Sequence, residues 1–277
     1  MDILKIAAFS NGETGGNPAG VMIARELPSA AEMQQIAAQV GFSETVFAAP
    51  LASGWRVRYF APESEIPFCG HATIALGAAL ALENGDGVFR LTLNHAEITV
   101  EGRRDGPVVN AALYSPPTSS RPLSSEVVSA ALAMFGYAPG DLDPRLPPAL
   151  IHAGADHLFV GLKTRQALAG MRYDLDAGRT WMRGLGLATV LLAHAETAQR
   201  FHVRNPFASG GVYEDPATGA GTAALAGYLR DLGWPHGGHI EVLQGEDMGM
   251  PSRLQADFSP VPGSPVRVSG DARVLPA

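Results

Sequence analysis

The chain has 277 residues, of which 46% are hydrophobic and 17% charged, with a formal net charge of −7. That composition excludes a largely disordered chain, and the length holds two ordinary domains but not three. The acidic balance argues against nucleic acid, whose phosphates need a basic face. Cys69 is the one cysteine, so an internal disulfide and a Cys-rich zinc site are excluded. The strongly apolar stretch Ile74 to Leu82 is far too short to cross a bilayer, and the first residues lack the apolar core of a signal peptide. The expectation is a soluble, cytoplasmic α/β protein with no nucleic-acid or membrane partner.

In chain order, Ile3 to Phe9 is an apolar run fit for a strand, followed by a Gly- and Asn-rich loop, Ser10 to Gly20, and a second strand at Val21 to Ala24. Ser29 stands before a helix, Ala30 to Gln39, with Met33, Ile36, Ala37 and Val40 on one face, and Gly41 ends it. Thr45 to Ala48 and Arg56 to Phe60 read as strands, the second with arginines alternating with bulky residues. A loop containing Pro62 and Pro67 leads into a helix, Ala72 to Leu82, stopped at Asn84-Gly85. Strands follow at Val88 to Leu93 and Glu97 to Glu101. The Pro- and Ser-rich stretch Ser115 to Pro122 reads as a linker. Beyond it come a helix at Ser125 to Phe135 and a buried strand at His157 to Gly161. Gly178 to Leu187 fits either element. Strands at Thr189 to Ala193 and Gln199 to Val203, a helix at Thr218 to Leu232, and a last strand at Val266 to Val274 complete the chain.

An internal repeat organises these elements. A shift of 149 residues puts Glu65 on Glu214, Pro67 on Pro216, Gly70 on Gly219, Thr73 on Thr222, Ala75 on Ala224, Leu76 on Leu225 and Leu80 on Leu229. The matched Glu and Pro lie outside the helices, so the match is more than shared Ala and Gly content. The two halves therefore read as related units, each presenting a helix N-terminus. Their predicted bounds are 1–115 with 266–277 for the first and 116–265 for the second.

A helix start has peptide N–H groups without an internal partner and carries partial positive charge, so it suits an anion. Gly70, Ala72 and Thr73 at one start, and Gly219 and Ala220 at the other, offer this with little side-chain bulk. They are the candidate groups for a substrate carboxylate or for charge developing during deprotonation. Glu44 lies among Phe42, Val46 and Phe47, where desolvation favours use as a general acid–base. His71 stands at the first helix start, where the dipole favours the neutral ring, and Asp215 stands before the second. Cys69 precedes the first start, but its repeat partner is Thr218, so a two-thiol racemase is only half furnished. Gly12 to Gly20 lacks the ending of a phosphate loop. No G-x-S-x-G or strand-linked G-x-G-x-x-G is present, and the histidines lack H-E-x-x-H spacing. No organic cofactor or metal is expected.

Five segments occur in order: Gly16-Asn-Pro-Ala-Gly-Val21, Gly41-Phe-Ser-Glu-Thr45, Pro67-Phe-Cys-Gly-His-Ala-Thr73, Gly211-Val-Tyr-Glu-Asp-Pro-Ala-Thr-Gly219 and Gln244-Gly-Glu-Asp-Met-Gly-Met-Pro-Ser252. Together they resemble the PhzF-like phenazine-biosynthesis isomerase family, which shares its fold with diaminopimelate epimerase. The resemblance implies two pseudo-symmetric α/β (α+β) domains, each a curved mixed sheet around a central helix, with the active site in the cleft between them. It implies Glu44 as acid–base, His71 and Asp215 as substrate-binding partners, no cofactor, and a homodimer. One departure is Met250, where the family often has Arg before Pro-Ser. The expected function is cofactor-independent proton transfer between carbons of a small carboxylated amino metabolite, of the trans-2,3-dihydro-3-hydroxyanthranilate kind. The alternatives are a racemase or epimerase using Cys69 and a non-catalytic ligand-binding protein.

Overall fold

The computed structural model describes residues 3–106 and 108–276; the expected assignments of residues 1, 2, 107 and 277 lie outside it. The chain divides into two compact units, one reaching to Tyr114 and resuming at Ser269, the other spanning Ser115–Val268.

The first unit contains β1 (Leu4–Ser10), β2 (Asn17–Ile23), α1 (Ala30–Val40), β3 (Thr45–Pro50), β4 (Trp55–Phe60), β5 (Glu65–Ile66), α2 (Gly70–Asn84), β6 (Gly87–Thr92), β7 (Glu97–Asp105) and β8 (Val108–Tyr114). α1 starts where Ser29 accepts from the Glu32 N–H while Glu32 accepts from the Ser29 N–H at 2.9 Å, a reciprocal cap. It ends at Gly41 in the left-handed region, φ 72°. α2 has no polar face, and every residue from His71 to Ala81 is buried, so it can only sit at the centre of a core. β7 lies directly on it: a Cβ on Gly102 would come within 2.3 Å of the Gly77 carbonyl oxygen. α1 packs on the other side of the sheet, where Met33 and Ala37 meet Met22, Phe47 and Phe60.

The second unit contains β9 (Ser119–Pro122), α3 (Ser125–Phe135), β10 (Ala149–His152), β11 (Asp156–Gly161), α4 (Arg165–Ala169), α5 (Leu175–Gly184), β12 (Thr189–Ala195), β13 (Arg200–Arg204), β14 (Pro206–Phe207), β15 (Val212–Glu214), α6 (Gly219–Asp231), β16 (His239–Gln244) and β17 (Ser252–Asp257). Its main sheet runs β9-β10-β11-β12-β13-β16-β17, with β11/β12 and β13/β16 parallel. The two-residue alternation of a strand feeds two cores. Leu158 and Val160 pack with Phe135, Leu168 and Met182 of α3 to α5, whereas Phe159 between them meets Tyr228 of α6, ring centres 5.1 Å apart. α6, buried from Gly221 to Arg230, is the central helix of this unit.

The last strand, β18 (Arg267–Val274), returns to the first unit. It neighbours β8 and pairs antiparallel with β1, Ala272 opposite Ala8. The order β1-β2-β3-β4-β6-β7-β8-β18 thus closes on itself, a barrel-like sheet around α2. The expected α/β class, with a mixed curved sheet on a central helix, is what the structure shows.

Three local expectations change. The linker reading of Ser115 to Pro122 fails over its second half, because Ser119–Pro122 is β9, with Arg121 opposite Leu150 of β10. Of Gly178 to Leu187, residues 178–184 belong to helix α5, started by Asp174 accepting from the Ala177 N–H at 2.8 Å, and residues 185–187 follow its end. Strands β5, β10, β14, β15, β16 and β17 and the short helix α4 are additional to the predicted set. Among the described residues no helix is long and apolar enough to cross a membrane.

Candidate active site

In the first unit, the loop after α1 delivers Glu44 to the edge of β3, and the Gly20 N–H donates to the Glu44 carbonyl at 3.1 Å, which fixes the backbone there. The side chain reaches the start of α2, where Glu44 Oε2 lies 3.2 Å from His71 Nε2. The two side chains are 13% and 9% exposed, so the pair is shielded but reachable. Cys69 Sγ is 3.4 Å from His71 Nδ1. Glu44, Cys69 and His71 therefore have donor atoms all within 4.8 Å of one another.

Cys69 is the N-cap of α2 but makes no side-chain capping bond. The turn is held instead by Thr73. Its N–H donates to the Cys69 carbonyl at 3.0 Å and its hydroxyl donates to the same oxygen at 2.6 Å. The buried Tyr59 hydroxyl completes this arrangement 2.7 Å from Thr73 Oγ1. Burial pushes the Tyr59 phenol well above its ordinary value, so it stays protonated. Thr73, expected among the substrate-binding groups, thus spends both its donors inside the turn. The N–H groups of Gly70, His71 and Ala72 are the ones with no acceptor inside the helix.

In the second unit, the turn before α6 is braced from below. Arg204 grips Glu214 bidentately, Nε to Oε1 at 3.0 Å and Nη2 to Oε2 at 2.6 Å, with both residues buried. The Asp215 N–H donates to the Asn205 carbonyl at 3.0 Å. Gln244 spans the turn: its Nε2 donates to the Asp215 carbonyl at 2.6 Å and its Oε1 accepts from the Thr218 N–H at 3.2 Å. The Asp215 carboxylate accepts from the Thr218 hydroxyl, which also accepts from Asn205 Nδ2. Thr218 is the N-cap, and Gly219 and Ala220, both half-buried, open the helix behind it. The Thr222 N–H closes the first turn on the Thr218 carbonyl at 3.0 Å, the bond Thr73 makes to Cys69. The repeat seen in the sequence is thus a repeat of turn construction.

Sequence reasoning brought forward Glu44, His71 and Asp215 but passed over Arg204, Asn205 and the bracing role of Gln244. Buried polar residues at strand ends carry no periodic signal. The one usable trace was Arg204-Asn205, two polar residues at the end of strand β13. An open surface cavity of about 370 Å³ on the second unit, lined by Arg200, His239, Glu241 and Arg253, includes none of these groups. Its arginines are already paired, Arg200 with Glu241 at 2.6 Å and with Glu196, and Arg253 with Glu241.

A sequence model described as phenazine biosynthesis-like protein matches residues 6–276. The trans-2,3-dihydro-3-hydroxyanthranilate isomerase of Pseudomonas aeruginosa is 34% identical over 258 residues, covering 91% of this chain and 88% of that one. Among solved structures, the Bacillus anthracis phenazine biosynthesis protein of the PhzF family superposes with a TM-score of 0.86 at 20% identity, over 99% of this chain and 96% of that chain. A hydroxyproline epimerase from Agrobacterium vitis superposes at 0.64 with 13% identity, over 99% and 88%. These two show a common fold.

Proposed function

The chain belongs to the phenazine biosynthesis-like family and is an isomerase, and from this premise we propose that Glu44 shifts a carbon-bound proton within a small carboxylated, amino-bearing metabolite. The observation that carries the reading is the 3.2 Å approach of Glu44 to His71, two residues 27 positions apart in sequence, beside a helix start with unused N–H donors.

The chemistry follows from the groups. The Glu44 carboxylate takes a proton from one carbon of the substrate, and as the acid returns it to another carbon on the same face. His71 holds the carboxyl group in position and donates to substrate. As the proton leaves, negative charge spreads into the conjugated system, and the N–H groups of Gly70 and Ala72 are aimed to receive it. In the second unit, Gly219 and Ala220 offer the same kind of donors to a carboxylate, beside Asp215, which Thr218 and Gln244 fix. No step requires a thiol, and Thr218 stands where a second racemase thiol would be. The P. aeruginosa relative makes trans-2,3-dihydro-3-hydroxyanthranilate the substrate to try first.

Incubation with that compound in D₂O, followed by NMR, tests the reading. Wild type should convert it with deuterium entering at carbon. Glu44→Gln, which keeps the hydrogen bonding but not the proton transfer, should lose about 10²–10⁴-fold or more in turnover. Normal turnover by that variant would remove Glu44 from the mechanism.

A further inference from the structure

We propose that Glu44, Cys69 and His71 form a binding site for one soft divalent cation of the Zn²⁺ class, and that occupancy silences the acid–base pair. The silencing rests on the reading of Glu44 given above; the site itself does not. A tetrahedral zinc ion with bonds of about 2.0–2.3 Å to nitrogen, oxygen and sulfur sets its ligand atoms roughly 3.3–3.6 Å apart. Glu44 Oε2 and His71 Nε2 are already 3.2 Å apart, and Cys69 Sγ is 4.0 Å from the same nitrogen. One edge of the coordination triangle thus matches, the second is a few tenths of an ångström long, and the third, Cys69 Sγ to Glu44, lies within 4.8 Å.

The donor set defines the ion. A thiolate, an imidazole and a carboxylate select zinc or a similar soft metal over Mg²⁺ or Ca²⁺, which want oxygen alone. Thiolate plus carboxylate balances a 2+ charge around a neutral imidazole. Binding converts the Cys69 S–H to a metal–sulfur bond and releases that proton to solvent. Three protein ligands leave a fourth position for water or a substrate carboxylate. Cys69 and His71 are buried, so the ion would lose little to competing water. A carboxylate held by the cation no longer accepts a carbon-bound proton, and metal binding and turnover then compete. Scanning for clustered ligands in sequence misses this site because its donors come from a loop and from a helix start.

Co²⁺, a spectroscopic substitute for Zn²⁺, tests the site. One equivalent per chain should produce a thiolate-to-cobalt charge-transfer band, displaced by Zn²⁺ and unaffected by Mg²⁺. Cys69→Ser should abolish the band, which sets this site apart from the surface pairs His152–Asp156 and His239–Asp257. Glu44→Gln and His71→Asn should each weaken Zn²⁺ binding by about 10–100-fold or more, read by calorimetry on variants checked by circular dichroism. No charge-transfer band, or undiminished zinc affinity in both variants, overturns the site. In wild type, Zn²⁺ should suppress conversion in step with occupancy, and a chelator should restore it. A full band with unchanged turnover overturns the silencing, whereas the base role of Glu44 stands or falls on Glu44→Gln turnover in metal-free enzyme. Absence of turnover on the chosen substrate leaves the spectroscopic and calorimetric readings intact.

Discussion

His157 shows how one side chain can set the acid limit of a fold. It lies in β11, 1% exposed, with Nδ1 2.7 Å from Thr189 Oγ1 and Nε2 buried without a partner. Burial lowers its pKa from 6.5 to about 4, against a weaker opposing pull from Asp156. The native state therefore refuses a proton that the unfolded chain accepts between those values. Its contribution is complete above about pH 6.5 and is lost as pH falls toward 4, by about 3 kcal/mol. Melting temperatures measured from pH 7 to 4 should fall more steeply in wild type than in His157→Gln; parallel curves would show that His157 does not set the limit. Single residues also mark how far the site was legible. Glu44, His71 and Asp215 stood out by their place in the ordered motifs and, for the last two, beside the helix starts, although capping, loop exposure or a structural histidine was the plain alternative. Asn205 and Arg204 did not, because their work is to satisfy buried groups across the turn, and that is visible only in three dimensions.

At the level of elements, the legible ones carry their own boundary chemistry. α1 and α3 have serine caps and left-handed glycines at Gly41 and Gly136, and α3 spans Ser125–Phe135 as its sequence predicts. α2 starts two residues before its predicted first residue, because a cysteine N-cap leaves no signal. β9 and β17 were hidden by polar sequences: in Ser252–Asp257 only alternate residues are buried, and two of those three are Leu254 and Ala256. The contact between α2 and β7 is the tightest test of packing between elements. A methyl at Gly102 meets backbone oxygen at 2.3 Å, which no side-chain rotation relieves. Gly102→Ala should cost about 1–3 kcal/mol or more in denaturant unfolding. Gly140→Ala, with nothing within 4 Å of the added atom, should stay within about 0.5 kcal/mol of wild type. Equal effects would mean that α2 does not lie hard against its sheet.

The whole molecule has a connectivity in which one unit is interrupted by the other. β1 has β2 on one side, and its other side pairs with residues 271–274 of β18. A chain ending at Val268 keeps every residue of the second unit but leaves the first an open sheet. In that truncation, hydrogen exchange should remain slow in β11 to β13 and become fast in β1 and β8; protection in all of them would show that closure is dispensable. During synthesis the same arrangement imposes an order of events. β1 leaves the ribosome long before β18, and its Ile6, Ala8 and open backbone edge wait while more than two hundred residues between them are translated. The nascent protein thus carries an adhesive edge throughout that interval, and slow elongation or a crowded polysome would be felt there.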